Sequence, residues 1–123
     1  MTNTIAVNVD IPQEFLADVV ITAVEGGINY WVDDIKDYVW QENGEEISHP
    51  RALIKPMDEE SWRFIGTPTI KKGIDRILNG NLINPQIKYQ IFGAVTAADA
   101  GDIDATAADA IVQVALFNDI VYS

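Results

Sequence analysis

The chain of 123 residues has no cysteine, which excludes a disulfide framework and thiolate metal sites and fits a reducing compartment, with the cytoplasm of a host cell as the expected location. It has one histidine, His49, and only Ser48, Ser61 and Ser123 as serines. The material for a nucleophile and base is thin, and His49 beside Pro50 reads as a loop histidine with no orienting partner. No stretch approaches the run of about 18 apolar residues that spans a bilayer. The opening Met1-Thr2-Asn3-Thr4-Ile5-Ala6-Val7 lacks the basic region and apolar core of a cleavable secretion signal. Phosphate-cradling glycine patterns are absent too: Gly26-Gly27 stands alone after a helical stretch, where it reads as a C-terminal cap.

Basic side chains are also scarce, 8 Lys and Arg against 19 Asp and Glu, for a formal net charge of −11. All the bases lie between Lys36 and Lys88. Asp10, Glu14, Asp18, Glu25, Asp33 and Asp34 precede them with no base, and Asp99, Asp102, Asp104, Asp109 and Asp119 follow them with none. Two unneutralised acidic ends therefore flank a mixed middle. Direct binding to nucleic acid or to an anionic membrane needs a basic footprint and is disfavoured on this balance, so neither is expected as a partner. The matching partner is a basic protein surface.

What the chain does have is a core's worth of apolar residues, 48% of the total with 9% aromatic, so it should fold as one domain over 1–123 despite its charge. Ile5, Val7 and Val9 alternate and predict a first strand over 4–9. Pro12 opens a helix carrying Phe15, Leu16, Val19, Val20 and Ala23 at helical spacing. Residues 28–41 read as a short helix through Ile28, Trp31, Val32 and Ile35, followed by a strand at Tyr38-Val39-Trp40. Asn43-Gly44 is a hairpin turn, and 47–55 and 61–65 supply two more strands, with Pro50 and Pro56 limiting the regularity of their sheet. Thr67-Pro68 predicts a helix start with the threonine hydroxyl as cap, and Asn79-Gly80 its end. Asn84-Pro85 repeats that start ahead of Ile87, Ile91, Phe92 and Val95. Asp104 caps a last segment in which positions 110–117 hold a single polar residue, Gln113, so this helix should be surrounded by the rest of the fold. The order predicts an α+β fold, a small antiparallel sheet with about four helices packed on one side.

Candidate site residues come from the acidic ends. At 100° per residue, Asp10, Glu14, Asp18 and Glu25 fall within about 80° of one another on a continuous helix, with steps of about 6 Å along its axis. Ile21 projects into the same range and supplies an apolar contact among carboxylates. Asp99, Asp102 and Asp104 crowd a short segment where hard cations could be held, but it lacks the closing glutamate of a calcium loop, and helix capping accounts for Asp102 and Asp104. Asp109 completes the acidic C-terminal set. Lys71, Lys72 and Arg76 form a small basic cluster on an outer helix face, with Asp75 placed to pair with Lys71. Trp31, Trp40 and Trp62, with Tyr30 and Tyr38, concentrate large aromatics in the middle third, mostly as core. No cofactor and no metal are expected, and no enzyme.

Glu25-Gly26-Gly27-Ile28-Asn29-Tyr30-Trp31 and the C-terminal pieces Asp109-Ala110-Ile111-Val112-Gln113, Ala115-Leu116-Phe117 and Ile120-Val121-Tyr122 resemble a group of small acidic proteins encoded by phages, prophages and plasmids. That group has no established activity, so the resemblance implies a mobile-element setting and assigns no catalytic residue. In such a setting, by analogy, small acidic proteins act as inhibitors of host or rival defence proteins, competing as mimics of DNA for a basic nucleic-acid-binding groove. The expectation is such an inhibitor, using Asp10, Glu14, Asp18, Ile21, Glu25, Asp99, Asp102, Asp104 and Asp109. The alternatives are a virion or mobile-element assembly protein built as a homo-oligomer through exposed aromatics, and a small metal-dependent enzyme or binder using the 99–104 cluster.

Overall fold

The computed structural model describes residues 3, 8–81 and 83–123. Helix α1 (Gln13–Thr22) runs into a π-turn (Ala23–Gly27), and three strands follow, β1 (Val32–Glu42), β2 (Glu45–Pro56) and β3 (Arg63–Gly66). Helices α2 (Thr67–Leu78) and α3 (Pro85–Ala97), a 3-10 turn (Ala100–Asp102) and helix α4 (Ala105–Phe117) complete the chain. The fold is α+β, with an antiparallel sheet in the order β1-β2-β3. The strand expected over 4–9 lies mostly outside the described residues, and Asn8 and Val9 have no regular structure. Among the described residues no helix is long and apolar enough to cross a membrane.

The hairpin turn falls at Asn43-Gly44, both with positive φ, 54° and 83°. Asparagine and glycine tolerate that region at least cost, and it matches the right-handed twist of the flanking strands. Ala52 and Ile54 of β2 and Ile65 of β3 are buried at 2% exposure or less, while Arg51 and Phe64 are exposed. One face of the sheet therefore carries the core and meets the helices, as α1 and α2 each pack against both β2 and β3. Pro50 sits where the ladder slips, between the pairs Val39↔Arg51 and Gln41↔Glu46, a position where its missing N–H breaks no regular rung.

Three local expectations are corrected. The helix expected from Ile28 does not form. The Ile28 N–H bonds back to the Ala23 carbonyl at 3.1 Å, closing the π-turn, and β1 begins at Val32 after a turn. Ile28 and Trp31 are nonetheless fully buried, so their apolar spacing reflects a buried turn rather than a helical face. Gly26-Gly27 is not a left-handed cap, since the positive-φ glycine among the described residues is Gly44. Gly27 instead allows close approach: a Cβ there would stand 2.7 Å from the Ala105 carbonyl oxygen. At α2 the cap is Gly66, whose N–H bonds to Thr69 Oγ1 at 3.0 Å, and the Thr67 hydroxyl accepts from Gln13 Nε2 at 3.0 Å instead. By contrast, Asn84 and Asp104 cap α3 and α4 as their sequences predict. Residues 110–115 of α4 are all buried, and α4 is the inner helix, packed against α1, α2, α3 and the π-turn.

Candidate functional site

The acids of the two chain ends are brought to adjoining elements. Glu14 and Asp18 lie one turn apart on α1 and are exposed, while Phe15, Leu16, Val19 and Val20 of the same helix are buried. α1 packs against the 3-10 turn and α4, and the π-turn packs on α4. Exposed Asp99, Asp102 and Asp104 thus flank or belong to a turn that packs against α1, the helix that carries Glu14, Asp18 and the half-buried Ile21. Asp99 accepts from the Gly101 N–H at 2.9 Å, and Asp104 from the Ala107 N–H at 2.8 Å. These are capping bonds, which leave each carboxylate a further oxygen toward solvent. Among the described residues no three His, Cys, Asp or Glu side chains are grouped to hold a metal ion.

The single stripe drawn from Asp10 to Glu25 does not exist as a stripe. Asp10 precedes the helix, which begins at Gln13, so the 100° projection does not reach it. It lines a cleft of about 700 Å³ together with Lys71 and Lys72, a mixed rather than an acidic setting. Glu25 falls in the π-turn, whose wider winding shifts its phase from that of α1. Its carboxylate accepts from the Tyr38 hydroxyl at 2.8 Å, and burial followed by this bond raises the Tyr38 pKa above 10.0.

Asp109 leaves the surface set altogether. Its Oδ2 accepts from the Tyr30 hydroxyl at 2.6 Å, and its Oδ1 accepts from Trp31 Nε1 at 2.7 Å and Gln113 Nε2 at 2.9 Å. Gln113 is itself fully buried and acts as a clasp on the end of the chain. Its Oε1 accepts from the Val121 and Tyr122 N–H groups, each at 2.8 Å, and its Nε2 reaches the Tyr122 carbonyl at 3.1 Å. The amide thus stands in for a neighbouring strand. The Tyr122 ring stacks on Trp31 with centroids 5.0 Å apart and planes 3° from parallel, and Phe117 meets both rings edge-on. Arg63 lies over Phe117 at 4.9 Å. Burial, then the bond to Asp109, pushes the Tyr30 pKa from 10.0 up to about 12; burial, then Asp58 and Glu59, raises that of Tyr122. The segments near residues 25–31 and 109–122, on which the resemblance rests, meet in this one cluster. The sequence signal for it was Gln113, a lone polar residue in an apolar run, since a buried amide must find several partners.

Charge neutralisation within the chain is sparse. Among the described residues one ion pair forms, Arg63 with Glu59 at 2.7 Å. The pair expected between Lys71 and Asp75 is absent, and Asp75 accepts from Asn79 Nδ2 at 2.9 Å instead. Arg76 is not on an outer face: its Nη1 donates to the carbonyls of Val114 and Ala115 at 3.1 and 3.2 Å, compensating the negative end of α4. His49 is exposed and lies in β2 rather than a loop, with its Nδ1 3.2 Å from Gln13 Nε2.

No family model matches the chain, and neither the curated proteins nor the solved structures provide a match.

Proposed function

We propose that the protein is a non-enzymatic inhibitor of phage or mobile-element origin that uses an acidic face to occupy a basic nucleic-acid-binding groove of a host protein. The observation that carries this reading is that Glu14, Asp18, Glu25, Asp99, Asp102 and Asp104 are exposed on adjoining elements, and none of them lies in an ion pair. Unpaired carboxylates on adjoining elements set up a field that steers encounter with a cationic groove, and Ile21 supplies apolar contact within it. Mimicry of a duplex strand, with one charge per about 3.4 Å, is approached only when both chain ends contribute.

The test is affinity capture from host lysate with the intact protein and a Glu14→Lys/Asp18→Lys/Asp102→Lys variant. The wild type should retain a nucleic-acid-binding protein that salt releases and should displace DNA from it in a mobility-shift assay. Recovery of the same proteins by both forms, or no displacement, refutes the reading.

A further inference from the structure

The face of the sheet turned away from the helices carries three of the chain's eight Lys and Arg side chains. Residues directly opposed in an antiparallel pair share a face, and the pairs Lys36↔Leu53, Val39↔Arg51, Leu53↔Phe64 and Asp34↔Lys55 place Lys36, Arg51 and Lys55 around an apolar centre of Val39, Leu53 and Phe64. Phe64 is half exposed, and Lys36 Nζ lies over the Trp62 ring at 4.1 Å from its centroid. None of the three cations is ion-paired. Asp34 is the one acid in these paired rows; Asp33 and Asp37 are exposed at the two irregularities of β1 that flank Asp34 and Lys36, and Glu42, Glu45 and Glu46 lie beyond Arg51.

We propose that this outer sheet face is a docking surface for the acidic α1 face of a second copy of the chain, so that copies join head to tail. The inference rests on the reading of that acidic face as a binding surface. Its physical basis is segregation. Helix α1 packs on the inner side of the sheet while Lys36, Arg51 and Lys55 share its outer rows, and no ion pair joins them to the α1 acids within one molecule, so both sets can pair between two. The apolar centre supplies the dehydrated contact that such charges surround in stable interfaces. A single-stranded nucleic acid is the poorer match: three cations interrupted by Asp34 make no continuous phosphate track, and a body of charge −11 repels a polyanion. The same body charge opposes self-association, but a Debye length of about 8 Å at physiological salt confines that repulsion while pairs at contact persist. Because the two surfaces differ, the contact is heterologous and does not close on itself.

Sedimentation and light scattering of the full chain at physiological salt test this. The wild-type mass should rise with concentration without a dimer plateau. Arg51→Glu/Lys55→Glu alone and Glu14→Lys/Asp18→Lys alone should each associate at least tenfold more weakly, and an equimolar mixture of the two should recover association, since each retains the face the other lacks. A monomeric wild type at all concentrations, unchanged association of either variant, or a mixture that stays monomeric overturns the proposal. So does an oligothymidylate that binds wild type and not Arg51→Glu/Lys55→Glu, because it assigns the face to nucleic acid. The sheet variant keeps its acidic face, so its capture of a host protein is unaffected, and the two proposals fail separately.

Discussion

Replacing Gln113 by leucine keeps the side-chain bulk and removes the clasp. The two bonds from the Val121 and Tyr122 N–H groups to Oε1 and the bond from Nε2 to Asp109 are lost, together with the longer bond from Nε2 to the Tyr122 carbonyl. Neutral hydrogen bonds contribute about 1 kcal/mol each and one to a carboxylate about 2. The tail amides lie near the surface and recover part of this from water, so the net cost is about 3 kcal/mol. For a chain of this size that lowers Tm by roughly 10 °C. Calorimetry gives the magnitude and hydrogen exchange gives its location: the Val121 and Tyr122 amides should lose protection while the amides of β2 follow only the global change. Gln113→Glu separates the roles of the two amide atoms. It keeps an acceptor for the tail but sets a second carboxylate against Asp109, so it should be destabilised at neutral pH and recover on acidification, when protonation restores a donor. A Gln113→Leu protein melting within about 2 °C of wild type, with its tail amides still protected, refutes the assignment.

Other outcomes follow from close approaches, caps and the tyrosines. Gly73→Ala should destabilise by several kcal/mol despite alanine's better helix propensity, because the new Cβ would clash with the Ile111 carbonyl oxygen. Gly93→Ala on exposed α3, with nothing within 4 Å, should stabilise by about 0.5–1 kcal/mol; chemical denaturation reads both. Asp104→Ala removes the α4 cap and should cost about 1 kcal/mol, measured the same way. Tyr30 has a folded pKa of about 12 against 10.0 for an ordinary tyrosine, so the folded state holds its proton more tightly. The stability this gives is complete below pH 10 and is lost as pH rises toward about 12. Asp109→Asn should bring the Tyr30 titration, followed by phenolate absorbance, back toward 10.

The elements whose boundaries were legible are those with a local chemical cause: Asn43-Gly44 for the hairpin, Asn84-Pro85 for α3 and Asp104 for α4. Errors fell where tertiary contact overrode local pattern. Trp31 lies at helical spacing from Ile28, but its ring is held by Tyr122 and its indole by Asp109, so a turn that only the folded C-terminus can complete carries a helical apolar spacing. Asp109 looked like surface charge because a sequence shows that a carboxylate lacks a nearby base and does not show that three donors from distant segments converge on it. The setting of Arg76 is hidden for the same reason, its acceptors being carbonyls of another helix. The cationic sheet face was invisible because Lys36, Arg51 and Lys55 are scattered in sequence and meet only through strand register.

That register also bears on why so acidic a chain forms so few ion pairs. From Pro50 onward β2 alternates, with Ala52 and Ile54 inward and Arg51, Leu53 and Lys55 outward, so a cation on this stretch can avoid burial only on the outer face. α1 must turn its apolar residues to that same sheet's inner face, which sends Glu14 and Asp18 away from it. Burial of one shared core therefore drives these two acids and the β2 cations to opposite sides of the sheet, whatever their mutual attraction, since exposed pairs contribute at most about 1 kcal/mol and a buried aliphatic side chain about 1.5–3. A Leu53→Lys substitution, which extends the outer cationic row without touching the core, should leave Tm nearly unchanged. The corresponding change at Ile54, fully buried, should unfold the protein. Equal tolerance at both positions would show that the sheet does not divide the molecule in this way.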